Sequence, residues 1–151
     1  MAKTPKRILI LGSGFGGLYT ALRLEKRLRH RTDIEITLVN CENFFLFTPM
    51  LHEVAAGDLD LTHIVNPVRK LLRRTHFFNG DIKSIDLRER RVVVTHADDN
   101  HDHELSYDYL VMALGSVTNF YNLPGLAENA LTMKSLKIGR ASCRERVYVL
   151  V

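Results

Sequence analysis

Residues Arg7 to Leu24 read R-I-L-I-L-G-S-G-F-G-G-L-Y-T-A-L-R-L. Four apolar residues, Ile8 to Leu11, run into Gly12-Ser13-Gly14-Phe15-Gly16-Gly17, and an amphipathic stretch follows. A strand, a glycine turn and a helix in that order are what a dinucleotide pyrophosphate needs. Gly12 lets the chain turn sharply at the strand end, Gly14 lets the backbone approach the phosphates, and Gly17 lets helix and strand pack closely. The helix start then offers N–H groups without intrahelical acceptors and a partial positive charge of roughly half a unit. A bare GxGxxG arises by chance in surface loops; the strand before this one and the helical pattern after it are what give it weight.

The adenosine half of such a cofactor is held by the next strand. Asp33 to Asn40 (D-I-E-I-T-L-V-N) fits that strand, and Asn40 falls where a ribose-binding carboxylate is usual, a little over twenty residues after the last glycine. An amide at Asn40 still hydrogen-bonds a ribose hydroxyl, without charge. Glu42 is an alternative partner, although it reads more simply as a solvated loop acid.

A chain of 151 residues amounts to about one domain. Met1 to Lys6 is short and basic, so no signal peptide is expected. No window approaches the roughly 18 apolar residues of a membrane span. Cys41 and Cys143 are far apart in sequence and form no metal or redox pair, which makes a reducing, cytoplasmic compartment the default. The net charge of +4 is misleading. Lys137, Arg140, Arg144 and Arg146 against Glu145 carry most of it, and without them 17 basic residues face 16 acidic ones. That balance does not argue for nucleic acid. Arg23, Lys26, Arg27, Arg29 and Arg31 cluster on the first helix, where positive charge near a C-terminus is favourable.

Lys137 to Val147 (K-I-G-R-A-S-C-R-E-R-V) resembles one reading frame of a common short-read sequencing adapter over ten consecutive residues. The expectation is that 137–151 is a non-native tail on an incomplete domain; the plainer alternative is an ordinary segment in which Val147 to Val151 forms a strand. Under the first reading Cys143 has no functional role.

Leu18, Ala21, Leu22, Leu24 and Leu28 recur at helical spacing and predict a helix from Phe15 to about Arg29. Cys41 to Leu51 is aromatic, and Pro49 breaks regular pairing, so it reads as a loop covering something apolar. Leu51 to Ala56 reads as a short helix ended by Gly57, and Asp60 to Arg74 as another. His76 to Asp81 reads as a strand plus turn. Ile82 to Leu87 and Arg91 to Thr95 flank R-E-R as a hairpin, and His96 to Glu104 is a polar turn. His96, His101 and His103 invite a metal reading, but they lack ordered ligand spacing and fit an exposed hairpin tip. The element order predicts an α/β fold: a Rossmann-like parallel sheet with a small inserted antiparallel β-meander.

Tyr107 to Ser116 (Y-D-Y-L-V-M-A-L-G-S) reads as a buried strand running into a small-residue turn, where Gly115 allows close backbone approach. About a hundred residues after a GxGxxG unit, it resembles the A-T-G strand of flavoproteins built on two dinucleotide-binding domains, with Leu114 in place of Thr. The finer resemblance is to the type II NADH dehydrogenases, the non-electrogenic NADH:quinone oxidoreductases. Asn43-Phe44-Phe45-Leu46-Phe47-Thr48-Pro49-Met50-Leu51 resembles their N-[YFH]-x-[LF]-F-T-P-x-L stretch, followed by Glu53-Val54-Ala55-Ala56-Gly57. Ala113 through Thr118, Asn119, Pro124 and Gly125 resembles A-L-G-S-x-T-N-x-[YF]-x-x-P-G. The resemblance covers nearly all of residues 5–136.

That resemblance implies FAD in a truncated first domain spanning 5–136. The pyrophosphate would lie on Gly12, Ser13, Gly14, Phe15, Gly16 and Gly17, and the ribose on Asn40. Adenine would meet the backbone of Ile82, after a Gly80-Asp81 turn. Thr48, Pro49, Ala113 and Gly115 would lie near the isoalloxazine. Phe44, Phe45 and Phe47 read as core rather than stacking partners. In such enzymes NADH delivers a hydride to the flavin and the flavin passes two electrons to a quinone; the protein orients and tunes the flavin, so no catalytic side chain and no metal are implied. A disulfide-reductase branch is disfavoured, because no C-x-x-x-x-C exists and Cys41 sits too close to the strand end. The parent protein would contact the inner face of the cytoplasmic membrane peripherally, through a C-terminal part beyond this chain. The chain as given is expected to turn over no NADH and to hold FAD weakly. Two other readings stay open: an NAD-binding module without flavin, and a non-enzymatic remnant.

Overall fold

The computed structural model describes residues 4–97, 101–130 and 134; the adapter-like tail from Lys137 onward lies outside them. The described chain falls into two compact units: residues up to Phe45 with Pro67–Gly115, and Leu46–Asn66 with those from Ser116 onward.

In the first unit the glycine motif sits between β1 (Lys6–Leu11) and α1 (Phe15–Arg27), followed by β2 (Ile34–Asn40). β1 pairs in parallel with β2 on one side and with β8 (Tyr109–Met112) on the other. β2 in turn pairs in parallel with β5 (His76–Asp86). β5 also pairs antiparallel with β6 (Arg91–His96), and β6 with β7 (Asp102–Ser106). The result is one six-stranded sheet in the order β7-β6-β5-β2-β1-β8, the α/β architecture that the sequence predicts, with the meander joined to the parallel sheet through a shared strand.

Side chains alternate across a strand, so β1 serves two cores. Leu9 and Leu11 join Val39, Val92, Val94 and Tyr107 in a cluster that seats the meander on one face. Ile10 is fully buried and meets α1 on the other. α1 buries Gly17, Leu18, Ala21 and Glu25 at helical spacing. It ends two residues before the predicted Arg29, with the Leu28 N–H still bonded to the Leu24 carbonyl (2.8 Å).

Four expectations are corrected. Asp60 to Arg74 is not one helix. It holds a 3-10 turn (Leu61–His63), β4 (Val65–Pro67) and one turn of helix, α3 (Val68–Leu71). The Asp60 carboxylate accepts from the Thr62 N–H (2.8 Å) and favours a tight turn. Pro67 lacks an N–H and biases Asn66 toward extended backbone. Second, no turn separates His76–Asp81 from Ile82–Leu87: β5 runs unbroken from His76 to Asp86, and Ile82 stands opposite Val94 with its side chain against the meander core. At Gly80 a Cβ would lie 2.5 Å from the Thr95 carbonyl oxygen, so this glycine marks close strand approach, not a turn. Third, the polar turn after His96 is shorter than expected, because β7 starts at Asp102; His96 and His103 place their rings edge-on to Phe78. Fourth, the strand expected to be buried in Tyr107 to Ser116 is β8, an outermost strand of the six, with Tyr109 and Met112 exposed.

Of the second unit, Thr48–Met50 forms a 3-10 turn that runs into α2 (Leu51–Ala56). As predicted, α2 ends at Gly57, in the left-handed region at φ +85°. Leu51, Val54 and Ile64 are its buried core, with Phe47 packed against them. α4 (Leu126–Asn129) is one further turn of helix. β3 (Phe44–Leu46) pairs with β4 in a two-stranded sheet.

Candidate functional site

The site is built where the C-terminal ends of β1, β2 and β8 meet the start of α1. Gly12 sits at φ +95°, and its N–H bonds the Val39 carbonyl (2.8 Å). A Cβ there would lie 2.3 Å from the carbonyl oxygen of Ala113. Ala113 is held against it because its own N–H donates to the Leu11 carbonyl (2.8 Å). A Cβ on Gly17 would come within 1.7 Å of the Gly12 carbonyl oxygen. The motif is therefore folded tightly on itself: two of its glycines are demanded by backbone packed against backbone.

Gly14 is different. It is the N-cap of α1, extended at φ −68°, ψ −168°, with no side-chain cap, and no atom lies within 4 Å of where its Cβ would stand. No packing constraint explains a glycine here. What remains is open space in front of a helix N-terminus whose first turn holds no acidic residue, an arrangement suited to an anion. A dinucleotide pyrophosphate fits these residues.

Asn40 closes β2 beside this turn. Its Oδ1 accepts the Ser13 N–H (3.1 Å), and its Nδ2 donates to the Glu42 carbonyl (2.9 Å). The amide thus ties the glycine turn to the loop after β2, a task a carboxylate cannot share because it has no donor. Phe15 is partly exposed, lies parallel to Tyr19 and meets Phe45 edge-on at 5.0 Å. Phe45 is buried, in keeping with a core role. Gly115 adopts φ +76° with open space around it.

Gly12 to Gly17, Asn40 and Ala113 are thus brought together. Ile82 lies in the part of β5 that pairs with the meander, two strands from β1. Thr48 and Pro49 open the 3-10 turn of the second unit. Cys41 is exposed, yet partial desolvation, with Asp81 and Glu42 nearby, raises its thiol above the ordinary pKa, the opposite of what a reactive thiol needs.

One residue that sequence reasoning passed over positions α1. Glu25 is buried, and it accepts the N–H groups of Arg73 (3.1 Å), Arg74 (2.8 Å) and Thr75 (2.7 Å). Burial pushes its carboxyl up, but these hydrogen bonds outweigh burial and hold it below the usual range. The signal was present in the sequence: an acid on the apolar stripe, four residues after Ala21.

A family model described as pyridine nucleotide-disulphide oxidoreductase matches residues 6–143. The chain is 33% identical over 138 residues to the external NADH-ubiquinone oxidoreductase 2, mitochondrial, of Saccharomyces cerevisiae, covering 87% of this chain and 24% of that protein. It is 28% identical over 146 residues to the type II NADH:quinone oxidoreductase of Staphylococcus haemolyticus, covering 95% and 35%. The solved structure of NDH2 from Plasmodium falciparum superposes with a TM-score of 0.80 at 25% identity, over 91% of this chain and 28% of that one. The chain thus spans about a quarter to a third of the length of the curated relatives it matches. It belongs to the pyridine nucleotide-disulphide oxidoreductase family, and over most of its length its relatives are NADH:quinone oxidoreductases of type II.

Proposed function

We propose that this chain is the FAD-binding part of a flavoprotein that transfers electrons from NADH to a membrane quinone. The observation that carries the reading is the contrast among the glycines. Gly12 and Gly17 are required by packing, whereas Gly14 faces open space at an uncapped helix start free of acidic residues. A pyrophosphate accepts hydrogen bonds and brings negative charge to such a place.

The residues divide the work. Gly12 and Ala113 shape the floor of the turn, and Gly14, Phe15, Gly16 and Gly17 present backbone to the diphosphate. Asn40 holds Ser13 in place and offers the remaining capacity of its Oδ1 to a ribose hydroxyl. Ala113 and Gly115 are proposed to border the isoalloxazine, and the Ile82 backbone to meet adenine. When bound, the flavin supplies the two-electron redox chemistry; this chain's residues bind it, orient it and exclude water. The relatives' names carry NADH and quinone, and those substrates are proposed for the whole protein. No helix among the described residues is long and apolar enough to cross a membrane; peripheral contact with the inner face of the cytoplasmic membrane is proposed for the parent.

The test is titration of the purified chain with FAD, followed by flavin fluorescence, beside Gly14→Val. Weak binding that falls at least tenfold in the variant is expected. Equal affinity in the two proteins overturns the reading, and uptake of NAD with no uptake of FAD replaces it with a flavin-free module.

A further inference from the structure

Two basic runs, 40 residues apart in sequence, meet at one end of the first unit. One is the end of α1 and its exit, with Lys26, Arg27 and Arg29; the other is α3 and its exit, with Lys70 and Arg73. All five are exposed. Glu25 brings the runs together by accepting backbone N–H groups of Arg73, Arg74 and Thr75. The Arg74 guanidinium then donates to the carbonyls of Leu28 and Arg31, both at 2.8 Å. The nearby acids are already engaged: Glu25 is buried under that backbone, and Asp33 pairs with Arg31 at 2.6 Å. Among the described residues, the side chains of Lys26, Arg27, Lys70 and Arg73 have no acidic partner.

This charge cannot serve the dinucleotide. The glycine turn caps the start of α1, and the cluster gathers at its end, 13 residues on, about 20 Å away at the rise of an α-helix. A few basic residues complement the helix dipole at that end, but dipole complementarity does not call for the second run. Nor does the cluster suit a nucleic acid strand: residues 23–31 and 69–74 contain no Phe, Tyr or Trp on which a base could stack.

We propose that this end of the fold is a docking surface for the phosphate headgroups of an anionic lipid bilayer. The argument is charge complementarity: a cluster of Lys and Arg without acidic partners is attracted to an anionic leaflet and is lost from it as salt rises. The proposal rests on the reading of this chain as part of a quinone-reducing protein, whose substrate is dissolved in a membrane. It assigns part of the membrane contact to the FAD-binding part itself.

The test is co-sedimentation of the 151-residue chain with vesicles of phosphatidylcholine alone or containing phosphatidylglycerol, at low and high salt. The chain is expected to partition onto the anionic vesicles only, and to be released by salt. The quadruple variant Lys26→Ala, Arg27→Ala, Lys70→Ala, Arg73→Ala should lose at least tenfold in partition. The charge-retaining set Lys26→Arg, Arg27→Lys, Lys70→Arg, Arg73→Lys should restore it, which separates charge from folding. Unchanged partition in the quadruple variant overturns the proposal. So does loss seen only when Lys137, Arg140, Arg144 and Arg146 are replaced by Ala, or equal affinity for duplex DNA in the same salt. FAD titration of the same proteins keeps the two readings apart, since the cluster lies at the far end of α1 and its removal should leave flavin uptake unchanged.

Discussion

Gly17 packs against Gly12 so closely that a Cβ on Gly17 would stand 1.7 Å from the Gly12 carbonyl oxygen. The contact is backbone on backbone, so no rotamer change relieves it. Gly17→Ala is therefore expected to destabilise the fold by about 3 kcal/mol or more, read from the urea midpoint. Gly14→Ala, in open space at an ordinary φ, should cost about 1 kcal/mol or less and act chiefly on flavin affinity. Equal losses of stability at the two positions would remove the distinction between the packing glycine and the ligand-facing one.

Glu25 makes the stability depend on pH. Its carboxyl is held below the ordinary range in the folded chain and returns to about 4.3 when unfolded. Folding therefore favours the ionised form, and the contribution is fully present above the unfolded value. It drains away as pH falls from there through the folded one. Glu25→Gln can keep an oxygen at the Oε1 position, which accepts all three N–H groups, but sets an NH2 donor against the Arg73 N–H that also reaches Oε2 (3.3 Å) and removes the charge. A loss of about 1 kcal/mol at neutral pH is expected, with a shallower decline of stability below about pH 4.5. Denaturant melts of both proteins across pH 3–7, a window chosen around an ordinary Glu pKa of about 4.3, check both parts.

Asn40→Asp supplies the carboxylate usual at this position and is nonetheless expected to weaken the site. The Nδ2 donor to the Glu42 carbonyl disappears, and that carbonyl then faces a negative oxygen. A stability loss of about 1 kcal/mol and lower flavin affinity should accompany the change. A gain in affinity would show that ribose contact outweighs anchoring of the glycine turn.

Arg90 closes the β5–β6 hairpin at φ +53°, a conformation that costs a side-chain-bearing residue about 1 kcal/mol. Arg90→Gly should therefore raise stability by up to about 1 kcal/mol, seen as a higher melting temperature without change in flavin uptake.

The reading of Lys137 to Val147 as translated adapter is checked by amplifying the source locus across residue 136. A genomic sequence that departs from this chain there is the expected outcome. A locus that encodes the same tail returns those residues to the protein.

The parallel core and the glycine turn were legible because their causes are local. Ile8 to Leu11 form a strand from apolar, β-branched composition, the glycines permit a turn that other residues resist, and Leu18, Ala21 and Leu22 recur at the helical period. α2 and its stop at Gly57 were legible for the same reason. Asp60 to Arg74 carries a helical apolar pattern as well, yet Asp60 and Pro67 break it: the Asp60 carboxylate closes a 3-10 turn, and Pro67 stands at the start of α3. Periodicity records which residues are buried, not which neighbour buries them.

By itself the sequence determined that a strand, a glycine turn and a helix follow one another over residues 6–27, and that a second strand ends in an amide. Only the tertiary structure decided why each glycine is there: Gly12 against Ala113, Gly17 against Gly12, Gly80 against Thr95, and Gly14 against nothing. It also joined β5 across a glycine that reads as a turn, and gathered two distant basic runs around one buried carboxylate. Those outcomes depend on which distant backbone arrives at a given place, and close packing, unlike propensity, is a property of pairs that the chain brings together only on folding.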